Sequence, residues 1–214
     1  IIRSEYDNSS KNNISMKSSS FFTDSVLKLL CNMLKEPSPS VFEAITCIFV
    51  NETFLSLPYL ETVINAFAKS LNKDEKSNLL FQQLELICIH CGSHIVPYVH
   101  LMSDALLNNI TNYYCLNVCK VLSQNLKSLF IEYSNKLYPI CLNLINNSEA
   151  QYLKNLLQFV VFSILYQNQN VEFFIEKIEL FFQYQYNEVK TSFILGSLSL
   201  LFQSIPMKMY SARI

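Results

Sequence analysis

The chain has 214 residues, half of them hydrophobic and 15% charged, with 16 basic and 17 acidic side chains for a formal charge of -1. No basic excess exists to neutralise a phosphate backbone, which argues against nucleic acid as a partner. Two glycines and six prolines leave long segments free of helix breakers, so composition predicts an all-α chain rather than one built on closely spaced turns.

Residues 1–20 are rich in Ser, Asn and Lys with few apolar anchors and are expected to form a flexible loop. The run Ser18-Ser19-Ser20 could accept phosphate, but reads more simply as part of that loop. The chain opens on Ile1-Ile2-Arg3 without Met, signal or presequence pattern and stops at Tyr210-Ser211-Ala212-Arg213-Ile214. It is therefore read as an internal fragment of something longer.

From Phe21 onward the apolar residues recur with helical period. Phe22, Val26, Leu29, Leu30 and Met33 form a first stripe. Beyond the break Glu36-Pro37-Ser38-Pro39 come Val41, Ala44, Ile45, Ile48 and Phe49, then Leu60, Val63, Ile64, Phe67 and Leu71. Leu80, Leu84, Ile87, Cys88 and Cys91 follow, then Val99, Met102, Leu106 and Ile110. Late stripes run Leu153, Leu156, Leu157, Val160, Val161, Ile164 and Leu165, and finally Val171, Phe174, Ile175, Ile178, Phe181 and Phe182. Spacing of i, i+3, i+4, i+7 puts each set on one side of a helix.

The breaks repeat. Leu57-Pro58-Tyr59, Val96-Pro97-Tyr98 and Tyr138-Pro139-Ile140 place prolines about 39 and about 42 residues apart, within the period of HEAT or armadillo units. Each proline is expected at the first turn of a second helix, where its missing N–H has no partner to lose. Asp74, Asn112 and Ser148 are the expected N-caps of the helices that follow. Later units enter near Asn170-Val171 and Pro206. The expected architecture is a HEAT/armadillo-like α-solenoid of antiparallel helix pairs over residues 21–214, roughly five pairs.

Seven cysteines, an odd count, fall mostly at apolar helical positions such as Cys31, Cys47, Cys88, Cys115 and Cys119. That suits reduced, buried thiols in an intracellular protein. Charge-free stretches from Leu86 to Ser103 and Thr191 to Met207 approach membrane-span length, yet carry histidine, proline and serine within amphipathic patterns. No transmembrane segment is expected.

Cys88-Ile89-His90-Cys91-Gly92-Ser93-His94 is the cluster that resembles a metal site, and on that reading the chain is a small metal-dependent enzyme. Against it, both cysteines belong to the apolar stripe, and Gly92 with His94 suits a helix end. No phosphate loop, nucleophile elbow or H-E-x-x-H occurs, and pairing Glu85 or Asp104 with a histidine is a coincidence any helical chain offers. Catalytic, cofactor-binding and metal residues are therefore all set at none. The sequons Asn51-Glu52-Thr53 and Asn109-Ile110-Thr111 carry no weight in an Asn-rich chain. The aromatic stretch Val171 to Phe182 has mainly acidic polar residues, the wrong sign for anionic lipid. It is expected to be a core helix with Phe173 or Leu180 left for a partner. Tyr59, Tyr98 and Tyr138 at the inter-repeat turns are candidate anchors for a partner, or else pack within their own turns.

Between residues 36 and 145 the pattern is more particular. Glu36-Pro37-Ser38-Pro39-Ser40 leads into Ala44-Ile45-Thr46, Ile48-Phe49 and Leu57-Pro58; Leu80-Phe81-Gln82-Gln83-Leu84, Ser93-His94-Ile95 and Pro97-Tyr98 follow, and Phe130, Tyr133, Leu137 and Pro139 continue it. This resembles the HEAT region in the N-terminal half of the target of rapamycin (TOR) protein kinases, of the phosphatidylinositol-3-kinase-related family. The resemblance implies a noncatalytic scaffold within a Ser/Thr kinase of nutrient and growth signalling. Its partners would be a regulatory subunit of a TOR complex and a second kinase protomer. ATP and Mg would be expected only in a kinase domain beyond this segment. The implied location is cytoplasmic, including endomembrane surfaces as part of a larger complex. A stand-alone HEAT or armadillo adaptor or transport factor without a kinase is the alternative.

A helix pair exposes apolar faces that only stacked neighbours cover. The chain expressed alone is therefore expected to self-associate, and light scattering from a monodisperse monomer that binds no hydrophobic dye would refute this.

Overall fold

The computed structural model describes residues 21–72, 77–184 and 187–204, and among these every regular element is helical. The loop expected over 1–20, with Ser18 to Ser20, the N-cap at Asp74 and the break at Pro206 lie outside the described residues. The chain divides into two compact units at Leu101 and Met102.

In the first unit, α1 covers residues 21–33, α2 Pro39–Asn51, α3 Thr53–Ser56, α4 Leu60–Leu71 and α5 Ser77–Cys91. Short 3-10 turns at Leu57–Tyr59 and Gly92–Tyr98 precede the next helices. Ser38 is extended and Pro39 supplies the preset φ of the first turn. Helix α2 packs on α5, and α5 on α4. The stripes Val41, Ile45 and Phe49, then Leu60, Val63, Ile64, Phe67 and Leu71, and Leu84, Ile87, Cys88 and Cys91 are buried as their spacing predicts. Phe42, one position off the α2 stripe, meets the Phe67 ring at 4.3 Å and ties α2 to α4.

Helix α1 departs from expectation. Leu27 is its buried residue, whereas Phe22, Leu29 and Met33 are exposed. Tyr59 Oη donates to Asp24 at 2.5 Å, one turn before Leu27, so the side of α1 that meets the fold carries a polar contact beside its buried leucine. Cys47, expected inside, is exposed, and Cys31 is half-buried.

Helix α6, Val99–Asn108, spans the boundary between the units. The second unit continues with α7 Tyr113–Leu126, α8 Ile131–Leu144, α9 Ala150–Gln167, α10 Val171–Tyr184 and α11 Glu188–Ser204. Helix α9 is its centre: it packs on α7, on α8 and on α11, while α8 packs on α10. Leu153, Leu156, Leu157, Phe159, Val160 and Val161 are all fully buried. Each such side chain contributes roughly 1.5–3 kcal/mol through removal from water.

Polar pairs join α7 to α9 in a fixed order. Asn155 accepts from Lys120 and donates to Asn117; Gln167 Nε2 donates to the carbonyls of Ser123 and Lys127 at 3.1 Å, and Ser123 Oγ donates to Gln167 Oε1 at 3.2 Å. Later residues of α9 meet later residues of α7, so the two helices run in the same direction.

Of the expected N-caps in the described residues, Asn112 holds: its side chain accepts from the amides of Tyr114 and Cys115. Ser148 does not cap α9. The helix starts one residue later, after Glu149, and Ser148 Oγ turns back to the Leu144 carbonyl. Pro58 and Pro97 stand in turns ahead of helices, but Pro139 lies inside α8. The break belongs instead to Lys127, at φ 49 and ψ -123, which ends α7 before the Lys127–Phe130 turn.

That backbone is strained for a residue with a Cβ. Gln167 binds its carbonyl, and Lys127 Nζ lies 5.6 Å from the centre of the Tyr166 ring. Lys127→Gly relieves the strain and is expected to stabilise by about 1 kcal/mol, raising the melting temperature by about 2–4 °C. A calorimetric midpoint equal to or below that of the parent would show the turn to be relaxed.

Candidate functional site

The end of α5 is built from both sides of a helix. Cys88 and Cys91 fall on the stripe that meets the core and are each 1% exposed. His90 and His94 are exposed, as is His100 on α6. Zinc needs its ligands within about 2.0–2.3 Å of one point, and these thiols and imidazoles face opposite ways. Burial also pushes the Cys91 thiol up to about 11, so it stays protonated at neutral pH and is a poor ligand. Gly92 has φ 51 and ends the helix, as the glycine there predicts. Among the described residues no three His, Cys, Asp or Glu side chains gather as a metal site.

Three further thiols, Cys115, Cys119 and Cys141, are buried in the second unit. Cys115 Sγ donates to the Leu106 carbonyl at 3.4 Å. Burial raises Cys115 and Cys141 well above the ordinary thiol range, with neighbouring cysteines adding to the shift.

The three turn tyrosines separate in use. Tyr138 is 2% exposed and donates to the Asn170 carbonyl at 2.6 Å, so it packs within the fold and is no exposed anchor. Tyr59 is half-buried and committed to Asp24. Tyr98 is half-buried.

Apolar surface remains on the last two helices. Phe174, Ile178 and Phe181 bury one side of α10, leaving Phe173, Leu180 and Phe182 exposed. Helix α11 buries Ile194 and Leu201 and exposes Val189, Leu195, Leu200 and Phe202. Its charges are Glu188 and Lys190, both in the first turn, and its other polar residues are uncharged.

A cleft of about 650 Å³ opens in the first unit between α1 with its following turn and α4. One wall carries Lys28, Cys31, Asn32 and Lys35, the other Thr62, Asn65, Ala66 and Lys69. Both sets have the spacing i, i+3, i+4, i+7, so each is one stripe along its segment. Lys28 pairs with Asp24 at 2.7 Å, and the hydrogen bonds from Lys28 and Tyr59 lower the Asp24 carboxyl. Among the described residues Lys35 and Lys69 pair with no carboxylate. The sequence reading missed this cleft, because it followed apolar spacing and the stripes here are polar; the same period in Lys28, Asn32 and Lys35 was its signal.

By length and composition alone the helical run Asn78–Asn108 could cross a membrane, but 44% of its apolar window is buried inside the structure. It comprises α5, the turn containing Gly92 and Pro97, and α6. No family model matches the chain, and neither does any curated protein or solved structure. Fold and surface together define an all-α protein.

Native-state alkylation checks the thiol assignment. Cys47 is expected to react first and Cys31 more slowly, whereas Cys88, Cys91, Cys115, Cys119 and Cys141 react only in denaturant. Mass spectrometry finding a fast-reacting buried thiol would contradict the burial described.

Proposed function

We propose that the chain is a HEAT-type scaffold segment of a TOR-type Ser/Thr protein kinase, noncatalytic itself and acting through its surfaces. Its partners are a regulatory subunit and a second protomer, in the cytoplasm, including endomembrane surfaces. The observation that carries the scaffold reading is the packing order inside each unit. Helix α2 packs on α5 in the first, while α7 packs on α9, α9 on α11 and α8 on α10 in the second. Helices two or three places apart in sequence lie side by side, and α7 and α9 run in one direction, as first helices of successive repeats do. Such stacking yields surfaces rather than enclosed pockets. The kinase kinship rests on the resemblance of Leu80-Phe81-Gln82-Gln83-Leu84, Ser93-His94-Ile95 and Pro97-Tyr98. On this reading Asn78–Asn108 is core helix broken by a turn, with no transmembrane role.

Two measurements test the two parts. A compact globule of this length has a radius of gyration of about 17 Å. Small-angle scattering at low concentration is expected to exceed it, and a value at 17 Å sinks the solenoid. Reading the coding sequence downstream is expected to reveal a kinase domain. A frame that closes without one leaves a stand-alone adaptor.

A further inference from the structure

The cleft beside α4 differs from the rest of a nearly neutral chain. Its walls carry Lys28, Lys35 and Lys69 and no acidic residue. Asp24 stands at one end, already shared between Lys28 and Tyr59. Lys35 and Lys69 thus keep their charge uncompensated among the described residues. Between the lysines lie Asn32, Asn65 and Thr62, whose amides and hydroxyl can donate to and accept from a peptide backbone. Leu34 and Ala66 add a small apolar floor. A volume of about 650 Å³ falls within the range of about 300–1,000 Å³ common to ligand sites.

Geometry narrows the occupant. Lys35 stands in the turn after α1 on one wall and Lys69 on α4 on the other, with Asn32 and Asn65 lining the cleft beside them. An extended chain, whose backbone groups are free to bond, can lie against the asparagines while its carboxylates reach the two lysines.

We propose that this cleft binds an extended acidic segment of a partner protein, recognised by its carboxylates through Lys35 and Lys69. It deepens the scaffold reading, on which it rests, by naming the chemistry of one partner. Lysine ammonium groups act as exposed point charges here, so the contact is steered by charge and weakened by salt.

Fluorescence anisotropy on the full chain tests it with a fluorescein-labelled peptide of alternating glutamate and glycine, and with its glutamine counterpart. The acidic peptide is expected to bind saturably and the neutral one not to. Lys35→Glu with Lys69→Glu weakens binding by about fivefold or more, with unchanged circular dichroism and melting, since both side chains are exposed. Lys35→Met with Lys69→Met gives a smaller loss in the same direction. Lys154→Glu with Lys177→Glu, in the other unit, leaves binding as it was. Equal binding of the two peptides, binding that survives charge reversal, or no saturable binding overturns the proposal. So does a chain that ignores the peptide yet sediments with phosphatidylserine vesicles. A failure here leaves the scattering result untouched, whereas a compact scattering radius removes the scaffold whatever the peptide does.

Discussion

Everything in the second unit depends on one constraint, that the apolar surface of α9 is too broad for a single neighbour to cover. Leu153, Leu156, Leu157 and Val160 line one side, while Phe159 and Val161 point elsewhere around the same helix. Helices α7, α8 and α11 close on it from different directions, and dropping any of them would wet side chains each worth roughly 1.5–3 kcal/mol. In the first unit α5 holds the corresponding place, between α2 and α4. Helices of this kind are stable through their neighbours rather than through propensity.

The same constraint explains where chemistry is missing and where it is left over. Burial keeps Cys91 and Cys115 protonated, while His90 and His94 are exposed, so the residue types of a metal site are present without its convergence. What remains available is surface of two kinds. One is apolar, on α10 and α11; the other is cationic, in the cleft beside α4. The first suits a neighbour that brings its own apolar stripe, and the second suits a charged strand.

Apolar spacing made most of the core legible in the sequence. The stripes of α2, α4, α5 and α9 are buried nearly residue for residue, and Asn112 caps α7 as its side chain dictates. Spacing failed on α1, where Leu27 is buried beside the bond between Asp24 and Tyr59 while Phe22, Leu29 and Met33 of the expected stripe are exposed. Pro139 misled because proline marks a helix start only when the chain is free to break there, and the chain had already broken at Lys127. The cleft went unseen because its two walls come from segments about thirty residues apart, which no single window of sequence brings together.

The hydrogen-bonded pairs between α7 and α9 have a bearing on how this chain can change length. Asn155 and Gln167 each reach a fixed partner across the seam. One inserted or deleted residue between them would swing Gln167 about 100° around its axis, stranding the carbonyls it serves. Insertions and deletions should accordingly be confined to the segments between helices, such as residues 145–149, while α7 and α9 drift in composition but keep their count.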